Sequence, residues 1–279
     1  MKSLFDTVSF KCSKLVTQNY STSFSLAVKM LSPSIRDAIY SIYGFVRFAD
    51  EIVDSFHHYN KEALINDFEK EYYKAVEAGI SLNPILNSFQ HTVKQYNITD
   101  DLVQAFLKSM KLDLIKSIYS SQTEYEDYIY GSADVVGLMC LKVFVKGNEQ
   151  KYEQLKNEAM RLGSAFQKVN FLRDLKDDNL VLNRNYFPCV DLNSFDENAK
   201  TTIINEIEED FRVAYQGIVK LPIEAQFGVY TAYIYYKKLL KKLKNTPYYE
   251  IGNSRIRVSN YTKAGLLAQS FVTYKLKLV

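Results

Sequence analysis

Apolar side chains recur at three- and four-residue intervals along nearly the whole chain, the spacing that lines one face of an α-helix. The periodic stretches predict helices over about 12–28, 35–56, 61–78, 84–96, 100–118, 124–146, 149–180, 196–220, 224–244 and 256–273. Between them lie short breaks at Ser32-Pro33, Gly79 to Pro84, Gly147-Asn148, Asn183 to Asn193 and Asn245 to Ser254. Ser34 and Asp100 are candidate helix caps. Ten glycines and five prolines leave too little punctuation for a many-stranded protein, so the class is all-α. No solenoid repeat, low-complexity tract or long linker divides the chain, and residues 1–279 read as a single domain.

Two of these helices interrupt their apolar pattern with a polar stripe. Residues 35–56 are apolar around most of the circumference through Ile39, Ile42, Phe45, Val46, Phe48, Ala49, Ile52 and Val53. At about 100° per residue, Tyr43, Arg47, Asp50 and Asp54 fall within a sector of roughly 60°, with Glu51 beside it. The helix over 149–180 repeats the design. Gly163, Gln167, Asn170, Asp174 and Asp178 share one face, Arg173 and Asp177 flank it, and Phe166, Val169, Leu172 and Leu175 point elsewhere. Gly163 removes bulk where another backbone or a ligand can approach.

A single pair of carboxylates one turn apart is usually a solvated surface, and like charges at that spacing repel unless a cation lies between them. Two matched pairs on otherwise apolar helices change the balance. Asp-x-x-x-Asp supplies hard oxygen ligands, which suits magnesium, an ion that keeps several waters and is commonly completed by substrate phosphates. Manganese is the alternative ion. Two such helices facing each other would hold a diphosphate through bridging metals, which points to ionisation of a diphosphate ester.

Composition narrows the function classes. With 47% hydrophobic and 24% charged residues, the chain can bury a sizeable core. Its 35 basic and 32 acidic residues look spread along the whole length, so no basic block marks a nucleic-acid binder. Cys12, Cys140 and Cys189 are distant and odd in number, against a disulfide framework or a thiolate metal site. Met1 to Cys12 lacks the apolar core of a signal peptide, and the longest apolar run, Val135 to Leu141, is far too short to span a bilayer. The expected location is cytoplasmic, and any membrane contact is peripheral, at the inner face.

The segments Tyr43 to Asp54 (YGFVRFADEIVD) and Gln167 to Asp178 (QKVNFLRDLKDD) resemble the paired aspartate-rich motifs of the phytoene and squalene synthases. The likeness extends to Tyr20 to Phe24 (YSTSF), Tyr128 to Gly137 (YIYGSADVVG) and Arg184 to Pro188 (RNYFP), and more weakly to Ile223 to Gln226 and Arg255 to Lys263. It implies a single helical bundle of the isoprenoid synthase type, with a central hydrophobic cavity and the aspartates at its mouth. Asp50, Asp54, Asp174 and Asp178 then match the magnesium-diphosphate aspartates, and Asn170 the further metal ligand. Arg47 and Arg173 match their polar helpers. Ser23, Phe24, Tyr43, Tyr128, Ser132, Ala133, Gly137, Gln167 and Tyr186 match positions lining the pocket, where Phe24, Tyr43 and Tyr128 offer aromatic faces to a carbocation. Only eight of the basic residues are arginines, and five of them, Arg47, Arg173, Arg184, Arg255 and Arg257, lie in matched segments, where a planar fork can grip phosphate oxygens. For Arg255 and Arg257 a solvated terminal helix is an equal alternative.

Within that family, Gly131 to Met139 and the spelling Asp50-Glu51-x-x-Asp54 look more like bacterial phytoene synthases. The implied reaction joins two geranylgeranyl diphosphates through prephytoene diphosphate to phytoene, with two diphosphates released and no NADPH required. The alternatives are a squalene, hydroxysqualene or dehydrosqualene synthase using farnesyl diphosphate, or a non-catalytic assembly factor of the same fold. Leu26, Val136, Leu138, Met139, Leu141 and Phe171 are candidates for setting tunnel depth. Tyr20 departs from the histidine common in the family. His57 and His58 read as surface residues, and Tyr230 to Tyr236 as part of a helix packed on the bundle. The oligomeric state is not legible.

Overall fold

The computed structural model describes residues 2–180, 184–188, 195–251 and 256–276, without the side chains of 176–180 and 260. The chain forms α1 (Lys2–Tyr20), α2 (Thr22–Lys29), α3 (Pro33–Ser55), α4 (Lys61–Ala78), α5 (Pro84–Tyr96), α6 (Asp100–Leu112) and α7 (Gln122–Ile129). After a π-helical turn at Tyr130–Asp134 come α8 (Val135–Phe144), α9 (Glu149–Leu180), α10 (Glu197–Ile218), α11 (Ile223–Asn245), α12 (Tyr248–Ile251) and α13 (Asn260–Lys275). Among the described residues the only β feature is an isolated parallel bridge between Ile118 and Asn185. No helix of the described residues is long and apolar enough to cross a membrane.

The bundle closes around α3, which packs on α1, α5 and α8. On its inner side Phe45 stacks on Phe89, ring centroids 4.0 Å apart, and meets Phe68, Tyr72 and Phe106. This aromatic layer pins α3 so that its opposite, polar stripe is presented at a fixed angle. Across the bundle α9 is clamped to α10 by buried charge. Lys168 donates to Asp210 at 2.7 Å and also bonds Glu206, while Arg161 reaches Asp210 at 2.7 Å. Ser164 donates to Asp134 in the π turn at 2.7 Å, and burial pushes the Asp134 carboxyl up to about 7.

Four predicted boundaries move. The helix expected over 12–28 begins ten residues earlier and breaks at Ser21, whose extended backbone and side chain cap α2 by accepting from the Phe24 N–H at 3.3 Å. The early turns escape an apolar-periodicity reading because α1 buries hydroxyls, Ser9, Ser13 and Thr17, against its neighbours; Ser13 bonds Ser88 at 2.7 Å. The helix over 100–118 stops at Leu112, since residues 117–119 leave to pair with Asn185: its N–H donates to Ser117 O (2.8 Å), and the Tyr119 N–H to its carbonyl (3.1 Å). The stretch 124–146 is divided by the π turn, which inserts an extra residue beside the site. The last helix starts at Asn260 rather than 256.

Candidate active site

The two helices that carry the polar stripes wall one cavity of about 480 Å³. Tyr43, Val46 and Arg47 line it from α3, and Gly163, Gln167, Asn170 and Arg173 from α9. The π turn and α8 add Ser132, Ala133 and Gly137; α11 adds Ala232 and Tyr236. Polar groups gather at this end, whereas Leu31, Leu155, Ala214, Leu221 and Val229 make the remaining wall apolar apart from Glu158, which pairs with Lys220 at 3.6 Å. Two aromatic pairs line it as well: Phe24 stacks on Tyr43 at 4.9 Å, and Phe166 on Tyr236 at 4.0 Å.

The chain packs α9 close enough to form this wall because side chains are missing at two points. A Cβ on Gly163 would lie 2.8 Å from the Ala133 carbonyl oxygen, and one on Gly137 would lie 2.9 Å from that of Ala159. Both contacts are with backbone, which cannot rotate away. Gly163→Ala is therefore expected to destabilise the fold by about 1–3 kcal/mol through displacement of the π turn, measured by urea unfolding. A variant as stable as the parent would show that the approach is not tight.

Along α3, the Arg47 guanidinium donates to Asp50 at 2.6 Å and also bonds Glu51, while its carbon lies 4.4 Å from the centre of the Tyr20 ring. A cation–π contact thus joins Tyr20 at the end of α1 to the polar stripe of α3. One turn on, Arg184 donates to Asp54 at 2.7 Å and to the Asp113 carbonyl at 3.1 Å. The Asp113 carboxylate accepts from the Tyr128 hydroxyl at 2.9 Å; its other oxygen is buried near the Tyr119 hydroxyl without a hydrogen bond of normal length. Burial and the neighbouring Asp54 charge push Asp50 up to about 7. Asp113 is pushed up to about 7 chiefly by burial, with Arg184 opposing. On α9, Arg173 donates to Asp174 at 2.8 Å and with a second, shorter bond, and Asn170 accepts from the Tyr236 hydroxyl at 3.4 Å. Gln167 reaches Ser132 at 3.5 Å.

Phe24, Tyr43, Arg47, Ser132, Ala133, Gly137, Gln167, Asn170 and Arg173 all line the cavity as expected. Asp50, Asp54 and Asp174 lie beyond the polar end on the same helices, within one or two turns of the lining residues. Other expectations shift. Ser23 is off the cavity, because α2 turns Phe24 and the preceding Ser21 and Tyr20 inward. Tyr128 and Tyr186 are buried in a stack with Tyr119 and Phe171, Phe171 lying 4.0 Å from Tyr186, so they brace the aspartate end. Arg257 is exposed and lines a separate depression. Phe166, expected to point away, lines the cavity because the opening is wider than the polar stripe. Of the depth candidates only Val136 and Leu141 reach the wall; Leu138 and Met139 are core. His57 and His58 are exposed, and Tyr230 and Tyr233 are buried against the bundle. The side chain of Asp178 is not among those described, and Arg255 lies outside the described residues.

Asp113 is the residue the sequence reading missed. Its signal was a lone carboxylate between Met110, Leu112 and Leu114 at the end of an apolar helix. Among the described residues no three His, Cys, Asp or Glu side chains form a metal cage. The Asp50 and Asp113 carboxyls, each pushed up to about 7 chiefly by burial and further by the neighbouring Asp54 charge, nevertheless fit a divalent cation that would compensate them.

Known proteins are similar to this chain in sequence and in fold. The squalene/phytoene synthase family profile matches residues 17–262. The chain is 25% identical to a phytoene synthase of Arthrospira platensis, over 91% of its own length and 90% of that protein. It is also 25% identical to the chloroplastic phytoene synthase 1 of Solanum lycopersicum, over 91% of this chain but only 63% of that longer protein. In fold it is similar to a crystallised dehydrosqualene synthase, with a TM-score of 0.83 at 19% identity over 97% of this chain and 98% of the other. It is likewise similar to the squalene synthase HpnC of Alicyclobacillus acidocaldarius, with a TM-score of 0.73 at 20% identity, over 85% and 93%. The chain thus belongs to the squalene/phytoene synthase family of prenyltransferases, whose members condense prenyl diphosphates head to head.

Proposed function

We propose that the protein joins two molecules of geranylgeranyl diphosphate to phytoene. The observation that carries this reading is that two helices, each with an Asp-x-x-x-Asp pair, border the polar end of one apolar cavity. Asp50, Asp54, Asp174 and Asp178, with Asn170, would hold magnesium ions, or manganese in their place. Bound there, such ions neutralise charge on a departing diphosphate. Arg47, Arg173 and Arg184 are positioned to hold the carboxylates and to donate to phosphate oxygens. In the first step a carbon–oxygen bond of one substrate breaks, and its first carbon closes a cyclopropane on the other substrate's double bond. One diphosphate and one proton leave. The resulting cyclopropylcarbinyl diphosphate, prephytoene diphosphate, ionises and rearranges, again losing one diphosphate and one proton. The apolar wall excludes water from the cations, while Phe24, Tyr43, Phe166 and Tyr236 present aromatic faces to them.

Because the final cation is quenched by proton loss, no NADPH is consumed. Purified protein supplied with magnesium and geranylgeranyl diphosphate is expected to yield a C40 hydrocarbon without NADPH, identified by mass spectrometry of the extract. A higher kcat/KM for farnesyl diphosphate, or squalene formed only with NADPH, would overturn the substrate assignment.

A further inference from the structure

The even overall charge conceals a sharp division, contrary to the expectation of charge spread along the chain. The last 43 residues, 237–279, hold ten of the 35 basic residues and one of the 32 acidic ones, Glu250. The preceding 236 residues therefore carry 25 basic against 31 acidic side chains and are net acidic. In space, Lys238, Lys241 and Lys242 on the outer side of α11 share a depression of about 640 Å³ with Arg257, Ser259 and Thr262. No carboxylate lines it, and among the described residues neither Lys238, Lys241 nor Arg257 has a salt-bridge partner.

The neighbouring helix α13 breaks the usual rule for surface helices. It contains no acidic residue. Its inner side docks on α11 through Phe227, 5.1 Å from Tyr274, and buries Ser270. Its outer side should then be polar. Instead, Tyr261, Ala264, Ala268, Val272 and Leu276 are exposed, Tyr261 at 92% and Leu276 at 63%, while Phe271 flanks the inner side with its ring 6.0 Å from Phe227.

We infer that α13 and the basic outer side of α11 form a docking face for a bilayer carrying anionic lipids. An apolar helical face lying in the interface, next to lysines that meet headgroup phosphates, satisfies both halves of the surface at once. A nucleic acid would leave the apolar half unmatched. A second copy of the chain would set Lys238, Lys241, Lys242 and Arg257 against their own counterparts across a two-fold axis, a repulsive arrangement. The association is peripheral, since no helix of the described residues can cross the bilayer. It does not depend on which prenyl diphosphate the protein uses.

The full chain is to be sedimented with phosphatidylcholine vesicles made with and without phosphatidylglycerol. Binding is expected only to the anionic vesicles and should weaken as salt is raised. Lys238→Gln/Lys241→Gln is expected to lower the partition coefficient about 25-fold, at about fivefold per charge. Val272→Gln/Leu276→Gln should lower it on the order of tenfold. Both variants should keep the parent's circular dichroism and its turnover in detergent. Absent binding, equal binding to neutral vesicles, tighter binding to duplex DNA, or a dimer dissolved by Val272→Gln/Leu276→Gln would each overturn the inference.

Discussion

Asp50→Asn is expected to lower turnover by about 10³-fold, a magnitude typical of removing one preorganised charge-stabilising group, while leaving the helical fold intact. The substitution keeps the shape of the side chain and removes only its charge. Asp50 is not part of the apolar core, so its loss opens no cavity. The same variant carries a second, opposite signature. Because burial and Asp54 raise the folded pKa of Asp50 to about 7, its ionised form weakens the metal-free fold. A raised carboxyl contributes stability below its unfolded pKa, near 3.8, and loses that contribution as pH climbs to about 7. The melting temperature of metal-free Asp50→Asn should therefore rise relative to the parent between pH 4 and pH 7 and keep a constant advantage above. An inactive protein more stable than its parent is the mark of a site that buries a carboxylate for function at the expense of stability. Near-normal turnover, or a flat difference in melting temperature, would remove Asp50 from that role.

The second large effect concerns Arg184, which holds Asp54 and braces the segment after α6. The guanidinium is 6% exposed. Arg184→Ala leaves Asp54 and the buried Asp113 without their cation, a loss of about 3 kcal/mol by analogy with broken buried pairs. Since Arg184 favours only the ionised acids, its benefit should be greatest at pH 8. It should shrink at pH 5, below the raised pKa of Asp113, where that carboxyl takes up a proton. Denaturant unfolding at the two pH values separates this account from simple loss of packing, which would cost the same at both. Turnover should fall as well, because Asp54 is no longer held.

Much of the site was legible because its chemistry is written at helical spacing. Tyr43, Arg47, Asp50 and Asp54 recur at three or four residues, and so do Gly163, Gln167, Asn170 and Asp174. The helical class followed from the same periodicity. What escaped depends on contacts between residues distant in sequence. Asp113 acquires meaning only when Arg184, 71 positions later, comes against its carbonyl and Tyr128 against its carboxylate. The hydroxyl face of α1 carries no apolar signal, although Ser13 sits against Ser88 and within 3.0 Å of where a Cβ on Gly44 would be. The end of α6 is set by a bridge to Asn185, which local propensity cannot anticipate. Tyr128 was expected in the pocket and instead props the aspartate end, because its ring is claimed by Tyr119 and Tyr186.

On the proposed reading, the carboxylates of α3 and α9 gather divalent ions around one diphosphate. Anomalous diffraction from crystals grown with manganese and an unreactive thio-diphosphate analogue of the substrate addresses it most directly. Manganese peaks bridging the analogue to Asp50 and Asp54 on one side and to Asp174 and Asp178 on the other are the predicted result. Analogue bound with no anomalous peak at those side chains, or peaks confined to a different part of the molecule, would contradict the account.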